Sequence, residues 1–246
     1  MSNITLMYHD VLNEQFPYSG FQKVGALQYT IDSKILDLQL KLAEGMDNVQ
    51  FTFDDGGESF YNVIAKLLEN NNRRGIFFIS TSYIGSEYFL SKEQIRELDR
   101  RGHIIASHSH THPNKISSLS KEECLYEWKQ SKSVLEDILG HNVNVASVPG
   151  GAVSDMVIDC MIEAGFHTIY TSEPTQKIVR KGCASICGRY GIKKDTTIAN
   201  FKKILSNPSY RQKMLVHYYF LKSAKQILGS HYNNIKQTIL RIGRRK

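Results

Sequence analysis

The sequence predicts an α/β fold: one barrel-like domain built of parallel βα units. Three observations predict it. Short apolar runs of strand length alternate with amphipathic stretches of helix length. Start and stop signals bracket the helical stretches where the pattern needs them. Residues with chemistry of their own collect just after the apolar runs, and in a parallel barrel the carboxyl ends of the strands converge on one face. At 246 residues the chain is long enough for one such domain with a sizeable core.

The strand candidates are I-T-L-M-Y (4–8), V-Q-F-T-F (49–53), G-I-F-F-I (75–79), H-I-I-A-S (103–107), V-N-V-A-S-V (143–148) and H-T-I-Y-T (167–171). Helices are predicted near 33–44, 57–70, 91–101, 120–139 and 152–164. Ser91 and Ser120 each begin an S-x-x-[EQ] capping box. Gly102 and Gly140 stand where helix C-caps should fall. Trp128 falls inside a helix and His103 at a strand start, so both are read as packing or structural residues.

Composition sets limits. The chain is 41% apolar and 22% charged, ordinary for a globular domain. No run of 18 apolar residues and no secretory leader pattern is visible, so the expected location is cytoplasmic. Four scattered cysteines (Cys124, Cys160, Cys183, Cys187) read as reduced thiols. The net charge of +7 is uneven. Residues 201–246 hold eleven of the 31 Lys and Arg and no Asp or Glu; the first 200 hold the other 20 against all 24 acidic residues. A basic tail on a slightly acidic body points to a partner for the tail and away from a nucleic-acid-binding fold.

Three of the nine histidines lie in S-H-S-H-T-H (107–112), after one strand candidate, and Asp54-Asp55-Gly56-Gly57 follows another. Each alone is compatible with a polar turn. Together they offer a site. His108 and His112, four apart, can hold one metal ion. Asp55 would complete a two-histidine, one-carboxylate face that leaves positions open. Asp54 would remain beside the ion to take a proton from water. The ion is divalent, with zinc the default and cobalt, nickel, iron or manganese accepted by the same donors. His110 would point elsewhere or line the cleft. Ser172 and Glu173, at another strand end, could touch a substrate.

F-T-F-D-D-G (51–56), G-H-I-I-A-S-H-S-H-T-H-P (102–113) and V-P-G-G (148–151) resemble the polysaccharide deacetylases, carbohydrate esterase family 4, from about residue 4 to about residue 192. The resemblance implies a distorted (β/α) barrel with about seven parallel strands. It implies metal-dependent hydrolysis of an N-acetyl or O-acetyl group on a sugar. By position, Asp54 would be the general base, and Asp55, His108 and His112 the metal ligands. The backbone N–H of Gly150, after Pro149, would face the oxyanion. Two departures stand out. Ser147 occupies a position where the family often has an arginine that tethers the base. The late L-x-H motif has only L-V-H (215–217) to match it, in a helical stretch. L-M-Y-H-D (6–10) resembles the first strand of members with a rearranged motif order, which makes His9 the expected general acid, with Asp10 to orient it.

The expected organisation is therefore a barrel over 1–207 and a basic amphipathic helical tail over 208–246, with a second helix from about 230. The tail is expected either to make a peripheral contact with an anionic membrane surface or to pack on the barrel with its basic face in solvent or against a protein partner. The expected function is removal of an N-acetyl group from an amino sugar in a polysaccharide, glycolipid or nucleotide-sugar precursor, in surface-polysaccharide biosynthesis. The competing expectations are a non-catalytic glycan-binding member of the same fold and a metal amidohydrolase for another acyl group.

Overall fold

A computed structural model describes residues 3–228. The strands are β1 (Ile4–Tyr8), β2 (Val11–Leu12), β3 (Ile31–Asp32), β4 (Val49–Phe53), β5 (Gly75–Ile79), β6 (Ile104–Ser107), β7 (Val145–Ser147), β8 (Thr168–Tyr170), β9 (Ile178–Lys181), β10 (Ala184–Cys187) and β11 (Tyr190–Gly191). The α-helices are α1 (Val24–Leu27), α2 (Ser33–Leu42), α3 (Ala65–Asn70), α4 (Lys92–Arg100), α5 (Lys121–Leu139), α6 (Asp155–Glu163), α7 (Ile198–Ser206) and α8 (Pro208–Leu228). A π-helical turn, Phe60–Ile64, leads into α3.

One nine-stranded sheet runs β11-β1-β4-β5-β6-β7-β8-β10-β9, and β2 and β3 form a separate parallel pair. Every pairing in the large sheet is parallel except β9 on β10. β10 lies on β8 at one end of the parallel set and β11 lies on β1 at the other. Only Gly188 and Arg189 separate β10 from β11, so a single chain segment flanks both ends of the curled sheet. Taken as one interrupted strand, it brings the parallel set to the expected seven. The β9–β10 hairpin is an addition the apolar pattern did not reveal, because β9 is largely exposed.

All five residues of β1 and of β5 are buried, as strands covered on both faces require. The larger apolar cluster fills the space between sheet and helices, where Phe53, Phe60 and Phe77 meet with centroids 5.0–6.1 Å apart. A smaller cluster of Ile76, Phe78, Ala106 and Tyr170 fills the inside of the curl. Both capping boxes form, at Ser91–Gln94 and Ser120–Glu123, and Gly140 ends α5 in the left-handed conformation. Trp128 is buried against Phe166, and His103 accepts from Gly75 N–H and meets Glu69, so both are structural as expected.

The predicted tail begins as a helix. Asn207 Oδ1 accepts from Tyr210 N–H, Arg211 Nη1 donates to the carbonyls of Ile204 and Leu205, and Tyr210 and Met214 pack on the main core. The second predicted tail helix lies outside the described residues. Among the described residues no helix is long and apolar enough to cross a membrane.

One polar knot joins the end of β1 to the segments on either side of the future site. Asp10 Oδ1 accepts from Ser19 Oγ (2.6 Å) and Ser59 Oγ (2.9 Å), Ser59 N–H donates to Ser19 Oγ (2.8 Å), and Val11 N–H donates to Ser59 Oγ (3.3 Å). A Cβ on residue 57 would lie 2.1 Å from Asp10 Oδ1, which is why the second glycine of D-D-G-G is needed. Burial, more than any neighbour, pushes the Asp10 carboxyl up to about 6. The folded protein therefore holds a proton there that the unfolded chain releases near 3.9, and stability falls as pH rises from about 4 to about 6. Asp10→Asn, whose amide oxygen can accept the same bonds, is expected to remove that fall, on the order of 3 kcal/mol at most. Urea unfolding of the two proteins between pH 4 and 7 checks it; a gap that does not change with pH would refute it.

Candidate functional site

Strand alternation decides which side chains reach the inside of the curl. On β4, Gln50 and Thr52 face inward: Gln50 meets Thr5 and Tyr170, and Thr52 meets Arg189. Asp54 continues that register past the strand end. On β1, Thr5 and Met7 face inward, and His9 follows them into the cavity. On β6, Ala106 faces inward and His108 follows. Asp55 would face outward by the same rule. Its φ of 91° breaks the alternation and turns it back, so two adjacent carboxylates enter one cavity. A non-glycine residue held there costs on the order of 1–3 kcal/mol, which the surroundings must supply.

The histidine loop is bent by the same means. Ser109 (φ 66°) and His112 (φ 53°) are both left-handed, and the rings of His108 and His112 come within 5.2 Å of each other. Glu127 on α5 holds the bend from behind. Its carboxylate accepts from the N–H groups of His110 (2.9 Å) and Thr111 (2.8 Å) and from Thr111 Oγ1 (2.7 Å).

Asp55 Oδ1 lies 3.5 Å from His108 Nε2 and 3.3 Å from His112 Nε2. It is a buried carboxylate oxygen with no hydrogen bond in the described protein. Among the described residues Asp55, His108 and His112 are the group of ligating atoms that could hold a metal ion, all within 4.8 Å of one another. The donor set fits a divalent ion. Two ligands about 2.1 Å from a tetrahedral ion stand about 3.4 Å apart, close to both separations. His108 Nδ1 lies 2.6 Å from Ser147 Oγ and 3.1 Å from Ser147 O. A carbonyl only accepts, so the Nδ1–H tautomer is assigned, and the Nε2 lone pair faces Asp55. Burial holds the His108 imidazole down to about 4, which keeps it neutral and ready to ligate. His112 is opposed by burial but drawn upward by Asp55.

Asp54 is held differently. Arg189 Nη1 donates to Oδ1 (2.6 Å) and Nη2 to Oδ2 (2.8 Å), a bidentate pair with both groups buried. Arg189 also donates to Thr52 Oγ1 and to the Thr171 carbonyl, and its guanidinium lies over Phe78 (5.1 Å) and Tyr170 (5.9 Å). Burial would raise the Asp54 carboxyl; Arg189 and then His108 override it and hold the group below the usual range. For Asp55 too, burial is overridden, here by His9 and the two ligating histidines.

The cavity, of about 320 Å³, is bordered by His9, Asp54, Asp55, His112, Gly150 and Ser172, among others. Gly150 sits there in a left-handed turn (φ 60°), and Pro149 is buried beneath it without lining the cavity. Three expectations need correction. Asp10 does not orient His9: successive residues of an extended strand face opposite ways, so Asp10 turns outward into the Ser19–Ser59 knot. His9 Nδ1 is buried without a hydrogen-bond partner, and its ring lies instead against Tyr29 (centroids 4.5 Å). His110 does not line the cleft; its Nδ1 meets Thr81 Oγ1 (2.8 Å) and its ring meets Tyr126. Glu173 stands outside the cavity and accepts from Tyr219 Oη (2.8 Å) on α8, whose neighbour Tyr218 lies against Ser172 and Glu173. His217 is exposed on α8 and does not line the cavity.

Arg189 was missed from sequence. Its one signal is C-G-R-Y-G (187–191), a charge between two short strands. A Cβ on residue 188 would lie 2.3 Å from the Glu173 carbonyl, so Gly188 lets the chain pass and deliver Arg189 inward. Ser147, where an arginine was expected, serves His108 instead.

Fold and site together define a parallel βα barrel with a candidate Asp–His–His metal centre at the carboxyl ends of its strands. The family profile of polysaccharide deacetylase matches residues 42–169, just over half of the chain, and the chain belongs to that family. A chitin deacetylase of Arthroderma benhamiae is 26% identical over 122 residues, 49% of this chain and 32% of that protein. The chain spans less than half the length of the curated relatives it matches. Among solved structures, the polysaccharide deacetylase BC0361 of Bacillus cereus aligns with a TM-score of 0.70 at 21% identity, covering 84% of this chain and 69% of that one. The Streptococcus pyogenes deacetylase PplD aligns at 0.67 and 18%, covering 84% and 99%. At those identities the likeness is one of fold.

Arg189→Met is expected to strand the Asp54 carboxylate in the barrel. Leaving one partner of a buried pair costs about 3–5 kcal/mol. The Asp54 carboxyl is depressed in the folded protein, so the pair stabilises above the unfolded value near 3.9 and ceases to do so as pH falls through the lower folded value. The variant's carboxyl rises and neutralises, so its deficit is larger at pH 8 than at pH 5. Chemical denaturation of metal-free protein at both pH values measures it; equal deficits would reduce Arg189 to a packing residue.

Proposed function

We propose that this chain is a metal-dependent carbohydrate deacetylase that hydrolyses the N-acetyl group of an amino sugar in a polysaccharide, glycolipid or nucleotide-sugar precursor. The observation that carries it is the unequal treatment of two adjacent carboxylates. Asp54 is clamped by Arg189, and Asp55 Oδ1 is left bare toward two histidine nitrogens.

Asp55, His108 and His112 would hold the ion, zinc by default, with cobalt, nickel, iron or manganese accepted by the same donors. Such an ion polarises an acyl oxygen and acidifies water. Asp54, kept ionised by Arg189, takes the proton of the attacking water. Arg189 fixes the carboxylate's orientation through both oxygens. The Gly150 N–H donates toward the acyl oxygen as negative charge builds on it. His9 donates a proton to the departing amine; Tyr29 against its ring sets its direction. Pro149 shapes the turn that presents Gly150, and Ser172 contributes a hydroxyl at the cavity wall.

Over 208–246 we propose a peripheral contact with an anionic membrane face. Val216 (61% exposed) and Phe220 (68%) form an apolar stripe on α8, and residues 201–246 carry no acidic side chain. Each Lys or Arg at such a surface contributes about 1 kcal/mol. Free thiols at all four cysteines suit work in a reducing compartment on the inner side of that membrane, in the assembly of a surface polysaccharide.

Acetate release from N-acetylated sugars by metal-stripped protein, with and without added zinc or cobalt, tests the reaction. Asp54→Asn is expected to keep the metal and lose about 100-fold or more of turnover. His112→Ala should lose both, and His9→Ala should keep the metal and lose turnover. Full activity in His9→Ala would remove it from the mechanism. Flotation with phosphatidylglycerol vesicles at low salt tests the tail; failure to float would refute the membrane contact.

A further inference from the structure

The excursion between β2 and β3 places two aromatic rings at the cavity, one beside each outer histidine. Phe21 lies against His112, with centroids 5.0 Å apart, and is braced by Tyr83 (4.8 Å) and Phe89 (5.1 Å). Tyr29 lies against His9 at 4.5 Å. Each ring also carries an ammonium group. Lys23 Nζ stands 5.9 Å from the Phe21 centroid, and Lys193 Nζ stands 5.2 Å from that of Tyr29. Lys23 itself borders the cavity. Lys193 arrives on the loop after β11, which is tied to the excursion by Lys194 N–H donating to the Gln28 carbonyl (2.9 Å).

Both lysines are exposed, and two features distinguish them from the other surface lysines. Among the described residues neither is in an ion pair, and Asp195 is the carboxylate in the shallow groove that Lys193 and Lys194 share with Val24 and Leu27. Both also stand at rings that touch site histidines; Lys23 borders the cavity itself, and Lys193 borders the shallow groove with its Nζ at the Tyr29 ring. The cavity floor is carboxylate and imidazole; on this side Lys23 borders it and Lys193 stands behind the Tyr29 ring that borders it. A sugar ring seated over the floor would lie between Phe21 and Tyr29, and a substituent leaving that ring toward solvent would pass the two ammonium groups. A neutral glycan gives those groups nothing to bind. A phosphate does.

We infer that the site takes an N-acylamino sugar bearing a phosphate or diphosphate, with the sugar between Phe21 and Tyr29 and the phosphate at Lys23 and Lys193. The inference rests on the deacetylase reading and names its substrate class. The phosphate can belong to a nucleotide or to a lipid carrier.

The test is binding, read by isothermal titration on the zinc-loaded Asp54→Asn protein, in which an amide oxygen still accepts from Arg189 and ligand is not consumed. The probes are N-acetylglucosamine 1-phosphate, UDP-N-acetylglucosamine, a prenyl-diphosphate-linked N-acetylglucosamine in micelles, neutral di-N-acetylchitobiose and inorganic diphosphate. Phosphorylated sugars are expected to bind at least 10-fold more tightly than chitobiose, with a preference that weakens as salt rises. Adding Lys23→Met and Lys193→Met together should abolish the preference and leave chitobiose binding unchanged; the double Lys→Arg protein should restore it. Tighter binding of the nucleotide or of the prenyl sugar assigns the carrier. Equal binding of neutral and phosphorylated sugars would overturn the inference. So would a preference that survives the double methionine variant, which would place the phosphate on the metal, or diphosphate binding as well as the sugars, or no binding at all. Absence of acetate release by the wild-type protein from every sugar would instead count against the reaction, while a lysine-dependent phosphate preference would still stand.

Discussion

The buried pair of Asp54 and Arg189 is the constraint on which the rest of the site depends. Neither group can stay charged inside the barrel alone: transfer of either ion out of water costs several kcal/mol. The two hydrogen bonds between them, the bonds from Arg189 to Thr52 and Thr171, and the faces of Phe78 and Tyr170 together offset that cost. The pair also joins the seam of the fold. Arg189 stands between β10, which lies on β8, and β11, which lies on β1, while Asp54 extends β4 beside β1. One ion pair therefore links the closure of the sheet to the orientation of the proposed base.

With Asp54 occupied on both oxygens, Asp55 is left to the histidines. The division follows from backbone geometry. Asp54 reaches inward by ordinary strand alternation; Asp55 does so by a strained left-handed turn, and His112 by another. Such strain persists only where neighbours over-determine it. Glu127 does this for the histidine loop with three accepted hydrogen bonds, and the Asp10–Ser19–Ser59 knot does it for the segment after Asp55. The supports sit on the outer faces of the strands, so the inner faces stay free for chemistry.

The outer rim brings parts from far along the chain to the same opening. The excursion before β3 supplies Phe21 and Tyr29, the loop after β11 sets Lys193 against Tyr29, and α8 meets Glu173 and Ser172 through Tyr219 and Tyr218. The helix that carries the exposed apolar stripe is thus in contact with the cavity wall.

The alternation of strands and helices, both capping boxes and the grouping of Asp54, Asp55, His108 and His112 are written in the chain's local order. These are legible because each depends on residues within one or two turns of chain: apolar period, cap chemistry, and polar residues just past a strand end. Tertiary structure alone decided three things. Arg189 pairs with a carboxylate 135 residues earlier, and no local pattern marks a partner that the closure of a sheet brings near. Asp10, adjacent to His9 in sequence, is its opposite in space, because an extended strand sends neighbours to opposite faces. Tyr29 borders the site, and Lys193 stands at its ring, from loops with no periodicity to read. The residues that do the proposed chemistry were local enough to find; those that hold them in place act across the barrel, where only packing fixes who meets whom.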